Sequence, residues 1–117
     1  MQRRSSSSVR VFFPKYSAER VIGEVRKTID KLSGKVALEK VMLFGSYAKK
    51  RYTVASDIDI LVVFDDSRST EDETYKALMR NIELPRLELH LLSKKEYEDM
   101  KDSKWIKIIE KEGIRIL

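Results

Sequence analysis

The sequence predicts an α/β (α+β) fold in which a small mixed β-sheet carries helices packed mainly on one side. Three observations predict it. Segments with apolar residues at helical spacing take turns along the chain with short apolar runs of β-prone residues. Glycine, proline and capping residues fall between the two kinds of segment. The length of 117 residues, 42% of them hydrophobic, is that of one ordinary domain with a single core.

Taken in order, Met1 to Ser8 is short, polar and serine-rich and reads as a flexible leader, so the expected single domain covers residues 9–117. Val9 to Phe13 suits a short strand. Ser17 is a candidate N-cap with Glu19 in the first turn, and Ala18, Val21, Ile22, Val25, Ile29 and Leu32 then recur at helical spacing up to Gly34. Val41 to Phe44 forms a strand that stops at Gly45-Ser46. A second, almost continuous apolar strand runs from Ile58 to Phe64, a pattern that implies burial on both sheet faces. Thr70 and Glu73 make a capping box that opens a helix through Ala77, Leu78 and Ile82, ended by Pro85. Leu87, Leu89, Leu91 and Leu92 mark a third strand. Lys94 to Met100 and Trp105 to Lys111 read as helices, Gly113 as a stop and Ile114 to Leu117 as a last strand.

Composition removes several classes of function. The chain has no cysteine and one histidine, His90. That excludes a disulfide framework, a thiolate nucleophile and multi-histidine metal sites, and it disfavours a serine hydrolase triad. No apolar run is long enough to span a membrane, and Arg3-Arg4 is followed by four serines where an export signal needs an apolar stretch. A reducing, cytoplasmic setting is expected. The net charge of +5 is unevenly placed, with residues 1–56 at +9 and residues 57–117 at −4. The basic half should attract phosphates, although abundant Lys and Glu also serves simply to solvate helices.

The chemistry is expected where Ser56-Asp57-Ile58-Asp59-Ile60 enters the second strand. Strand side chains alternate, so the two carboxylates share a face while Ile58 and Ile60 turn to the core. Two like charges side by side call for a cation, and Mg²⁺, a hard ion that keeps several waters, suits them. Glu88, flanked by leucines on a strand of the same sheet, offers a third carboxylate, so that two metal ions can share Asp57, Asp59 and Glu88 in an in-line displacement at phosphorus. Gly45-Ser46 is the matching phosphate half: glycine permits close backbone approach, and a helix starting at Ser46 would present free N–H groups and a hydroxyl. Lys49, Lys50 and Arg51 add positive charge beside it. Ser56 is read as a turn residue, His90 as a rim or structural residue, Trp105 and Tyr97 as core or interface anchors, and Tyr47 either as part of the site or as cover for the core edge.

Gly45-Ser46-Tyr47-Ala48 followed by Ser56-Asp57-Ile58-Asp59-Ile60 resembles the signature of the minimal nucleotidyltransferases of the DNA polymerase β superfamily. Leu87-Glu88-Leu89-His90 is similar to the strand bearing that family's third carboxylate, and Glu112-Gly113-Ile114 to the tail of its archaeal members. The likeness spans roughly residues 17–117. It implies a polymerase β-like fold, nucleotide contacts at Gly45, Ser46 and Lys50, and catalytic, metal-binding roles for Asp57, Asp59 and Glu88. It further implies two Mg²⁺ ions, ATP as donor of a nucleoside monophosphate with release of pyrophosphate, and a helical HEPN toxin as partner and acceptor, modified on a hydroxyl side chain. Many relatives carry glycine where this chain has Lys50, so a stiffer loop is expected here. Two other readings are a non-catalytic antitoxin that keeps the fold as a binding surface, and a basic nucleic-acid-binding domain, which lacks a recognition helix in this sequence. Only 29 residues follow Glu88, so the acceptor is expected to complete an open cleft.

Overall fold

The structure is a computed structural model that describes residues 16–117. The leader and the strand expected over Val9 to Phe13 lie outside the described residues. Helix α1 (Ala18–Lys31) begins at Ser17, whose Oγ accepts from the Arg20 N–H at 3.1 Å. Strand β1 (Leu38–Phe44) is followed by β2 (Ile58–Phe64), then by α2 (Glu71–Asn81), β3 (Leu87–Ser93), α3 (Lys94–Met100), α4 (Lys104–Glu112) and the short β4 (Ile114–Arg115). The Thr70/Glu73 capping box forms as expected, and a second one, Ser93 with Glu96, turns β3 directly into α3.

The four strands lie in the order β3-β2-β1-β4. β1 is antiparallel to both β2 and β4, whereas β2 and β3 are parallel, with α2 as the crossover between them. This topology positions the site. A strand running antiparallel to two parallel ones ends where they begin, so the end of β1 and the starts of β2 and β3 meet at one edge of the sheet.

Alternation divides the strands between two cores. Val41, Leu43, Ile58, Ile60 and Val62 turn to the face covered by α1 and α2, where they meet Val21, Val25 and Leu78. Side chains so fully enclosed are worth about 1.5–3 kcal/mol each. Thr28 Oγ1 donates to the Asn81 carbonyl at 3.3 Å and the Glu83 N–H to Glu24 at 3.0 Å, which ties these two helices together. On the other face Met42 and Leu61 pack against Ile106 and Ile109 of α4, with Tyr97 and Met100 of α3 beside them. The two longer helices therefore occupy one face as expected, while the shorter C-terminal pair covers part of the second. That departure from a mainly one-sided sheet follows from Met42, Leu61 and Leu92, which would otherwise face water.

Lys40 on β1 clamps this second layer. Its ammonium bonds to Glu110 and, at 3.0 Å, to the Tyr97 hydroxyl, which in turn donates to Glu110 at 2.8 Å. Burial alone would raise the Glu110 carboxyl, but the bonds from Lys40 and Tyr97 outweigh it and hold it below its ordinary value. Burial alone would likewise lower the Lys40 ammonium, yet the same partners leave it raised. The depressed Glu110 contributes stability above its unfolded value, about 4.3, that is lost as pH falls through its folded one; the raised Lys40 contributes below about 10.4 and is lost as pH rises past its folded one. Lys40→Met is therefore expected to cost about 1 kcal/mol at neutral pH. Denaturant titrations across pH should show the gap to the parent closing at both extremes.

Candidate active site

Phe44 pairs with Asp59, and Asp59 with Glu88, so the three form one row across β1, β2 and β3 at the edge where the motifs meet. Residues in register point to the same face. Asp57 is the residue before β2 and is exposed, and Asp59, the second residue of the strand, is partly enclosed. Glu88 is exposed rather than set among core leucines. Its position at the strand start explains this, so burial does not force a counter-ion on it. What stands is its place beside Asp59.

No helix begins at Ser46. Residues 45–50 instead form a single tight turn in which the Lys49 N–H donates to the Gly45 carbonyl at 3.1 Å and the Arg51 N–H to that of Ser46 at 2.9 Å. The N–H groups of Ser46, Tyr47 and Ala48 and the Ser46 hydroxyl make no hydrogen bond among the described residues, so the turn still presents the donors that a phosphate needs. Gly45 has φ +77°, and a Cβ placed there would lie 2.7 Å from Asp59 Oδ2. Only glycine lets the turn lie against the carboxylate. Gly45 and Asp59, fourteen residues apart in the chain, thus bring the two halves of the sequence motif into direct contact.

Tyr47 belongs to the core edge. It is buried, stacks on Tyr52 with ring centroids 4.2 Å apart, and donates to the Tyr16 carbonyl at 3.3 Å, while burial pushes its hydroxyl pKa up. The Tyr52 hydroxyl accepts from the Ala18 N–H at 3.2 Å. These rings fasten the turn over residues 45–50 to the start of α1. Ser56 is a turn residue as expected, its Oγ accepting from the Thr53 N–H at 2.9 Å.

The three basic residues separate in role. Lys49 pairs with Glu112 at 3.2 Å, whereas Lys50 and Arg51 are exposed, with no ion pair among the described residues. Lys50 adopts φ +59°, the left-handed conformation that glycine takes without strain, so the loop keeps its path and Lys50 bears the cost. Lys50→Gly is expected to leave stability within about 0.5 kcal/mol, the relieved strain offsetting the greater freedom of the unfolded chain. With the ammonium gone, KM for the nucleotide should rise severalfold; an unchanged KM would remove Lys50 from the phosphate contacts.

His90 is nearer the centre than a rim reading allows. Its Nε2 lies 3.3 Å from Asp59 Oδ1, and its ring meets those of Phe44 and Trp105 edge-on at 5.2 and 5.9 Å. Tyr97 is the anchor expected of it. Trp105 is no core residue, being half-exposed in this ring cluster beside the carboxylates. Sequence reasoning also passed over Arg86, which has φ +53° and whose carbonyl accepts from the Ile58 N–H at 2.8 Å, next to Asp57. Nothing local in the sequence marks either Trp105 or Arg86.

The donor set suits Mg²⁺, which takes one or two carboxylates and completes its octahedron with water and substrate phosphate. Among the described residues no three acidic or imidazole side chains gather closely enough to cage an ion alone. An ion held by Asp57, Asp59 and Glu88 would need further ligands from water and from a phosphate at the neighbouring turn. A larger recess, about 420 Å³, lies at the far end of the sheet by Ala37 and Leu117 and touches none of these residues.

The mixed sheet thus sets a turn with free N–H donors against carboxylates at the starts of two adjacent strands. The chain matches the nucleotidyltransferase domain family over residues 22–116 and belongs to that family. It is 32% identical over 81 residues to a Methanocaldococcus jannaschii protein called "Putative protein adenylyltransferase", a match that covers 65% of this chain and 81% of that one. The crystal structure of a "putative nucleotidyltransferase" from Sulfolobus solfataricus shares the fold, with a TM-score of 0.55 at 20% identity, over 95% of this chain and 86% of that one. Among the described residues no helix is long and apolar enough to cross a membrane.

Proposed function

We propose that the protein is an Mg²⁺-dependent nucleotidyltransferase of the cytoplasm that transfers AMP from ATP to a hydroxyl side chain of another protein, a HEPN toxin that it thereby restrains as antitoxin. The observation that supports the nucleotidyl-transfer reading is the contact of Gly45 with Asp59, which brings the unbonded N–H groups of the turn beside a carboxylate. Protein as the acceptor class is supported by the name of the Methanocaldococcus jannaschii relative. It also suits a site whose Asp57 and Glu88 lie open on the sheet edge.

In this reading the Ser46 hydroxyl and the N–H groups of the turn hold the β- and γ-phosphates, with Lys50 adding charge. Asp57, Asp59 and Glu88 would hold the metal, which when bound would supply positive charge to the α-phosphate and acidify a hydroxyl beside it. The acceptor oxygen forms a bond to the α-phosphorus as the bond to the bridging oxygen breaks. Pyrophosphate leaves with that electron pair, and the hydroxyl proton passes to a nearby carboxylate or to water. His90 steadies Asp59 through the bond at Oδ1.

Co-expression with the product of the adjacent gene, followed by size exclusion and intact-mass analysis, tests the acceptor. The expected result is a complex whose partner gains the mass of AMP only when Asp57 and Asp59 are present. An unmodified partner, with small molecules modified instead, contradicts a protein acceptor.

A further inference from the structure

Beside the phosphate turn, Phe44, Trp105, Ile108 and Ile109 wall a recess of about 180 Å³ that also touches Gly45. Lys49 and Glu112, paired at 3.2 Å, also line it. We infer that this recess is the base subsite for the bound nucleoside triphosphate, with the Trp105 ring as its stacking face and a purine bearing an exocyclic amino group as its preferred occupant. The inference rests on the nucleotide reading of the Gly45-Ser46 turn. The recess shares Gly45 and Lys49 with that turn and offers an apolar wall next to it.

Its surfaces fit a base. Trp105 and Ile108 stand one helical turn apart on α4 and remain 38% and 47% exposed, beside a polar, charged site. The Trp105 ring is held edge-on by Phe44, centroids 6.0 Å apart and planes at 86°, and by His90 at 5.9 Å, so little freedom is lost when a base stacks on it. A volume of about 180 Å³ is of the size of one planar ring system. Glu112 can accept from an exocyclic amine, and Lys49 can donate to a ring nitrogen. Uracil offers the smaller stacking area and no such amine.

Trp105 is the sole tryptophan, so its fluorescence reports on this subsite directly. With excess Mg²⁺, ATP should quench it, UTP should do so more weakly, and inorganic tripolyphosphate should not, although tripolyphosphate competes with ATP for the turn. By calorimetry Trp105→Ala should weaken ATP binding about tenfold while tripolyphosphate binding changes less than about twofold, and Trp105→Phe should recover most of the loss. Should Trp105→Ala fail to fold, Ile108→Glu at its half-exposed position obstructs the recess, and the same contrast is read. Unchanged ATP affinity in these variants, the outcome if an aromatic side chain of the acceptor fills the recess, overturns the base assignment alone. Failure of tripolyphosphate to compete, or absence of ATP binding, contradicts the nucleotide reading and the base subsite with it.

Discussion

Asp59→Asn is expected to slow nucleotidyl transfer about a thousandfold, the several kcal/mol that a metal-held charge contributes at a transferring phosphoryl group. Folding should hardly change, because Asn is the same shape and its Oδ1 can still accept from His90 Nε2, the bond that now measures 3.3 Å. The core is not at stake, since Ile58 and Ile60 on either side turn to the opposite face and stay buried. Single-turnover rates with thermal unfolding in parallel separate the two effects. A fall in melting temperature matching the loss of activity would mean that Asp59 serves the fold.

Gly45→Ala is the second large effect, and it strikes both. The backbone there has φ +77°, and the new methyl group would lie 2.7 Å from Asp59 Oδ2, so either the turn or the carboxylate must shift. The left-handed strain and the displacement together should cost about 2 kcal/mol of stability. Activity should fall by about two orders of magnitude or more, because a misplaced catalytic group forfeits its alignment. Gly23→Ala supplies the control. It lies within α1 with open space around its Cβ position, and should raise stability by about 0.5–1 kcal/mol with activity unchanged. Equal behaviour of the two alanine variants in denaturant and rate measurements would contradict the packing of the turn against Asp59.

Much of the molecule was legible because its signals are local. Ser17, Thr70 and Glu73 mark helix starts through bonds made within one turn, and the run from Ile58 to Phe64 announces a strand enclosed on both faces. The candidate site was legible for the same reason: Asp57 and Asp59 sit one residue apart, and Gly45-Ser46 closes a strand. What depends on contacts between distant segments was not legible. Met42 and Leu61 need a helical cover that spacing alone does not assign to either face, so the packing of α4 on the second face emerged only in the structure. The His90–Asp59 bond joins residues 31 apart in sequence, and Trp105 reaches the site only because α4 lies under the end of β1. The helix expected at Ser46 is a single turn instead, as residues 45–50 curve back with Lys50 in a left-handed conformation.

The central claim is that this edge of the sheet transfers a nucleotidyl group and no other part of ATP. Parallel incubations with ATP labelled at the α- or at the γ-phosphate, with Mg²⁺ and the co-purified product of the adjacent gene, test it most directly. The expected result is α-label on the partner protein and γ-label in pyrophosphate, both abolished by Asp59→Asn. Gamma-label on the partner or in free phosphate would contradict it.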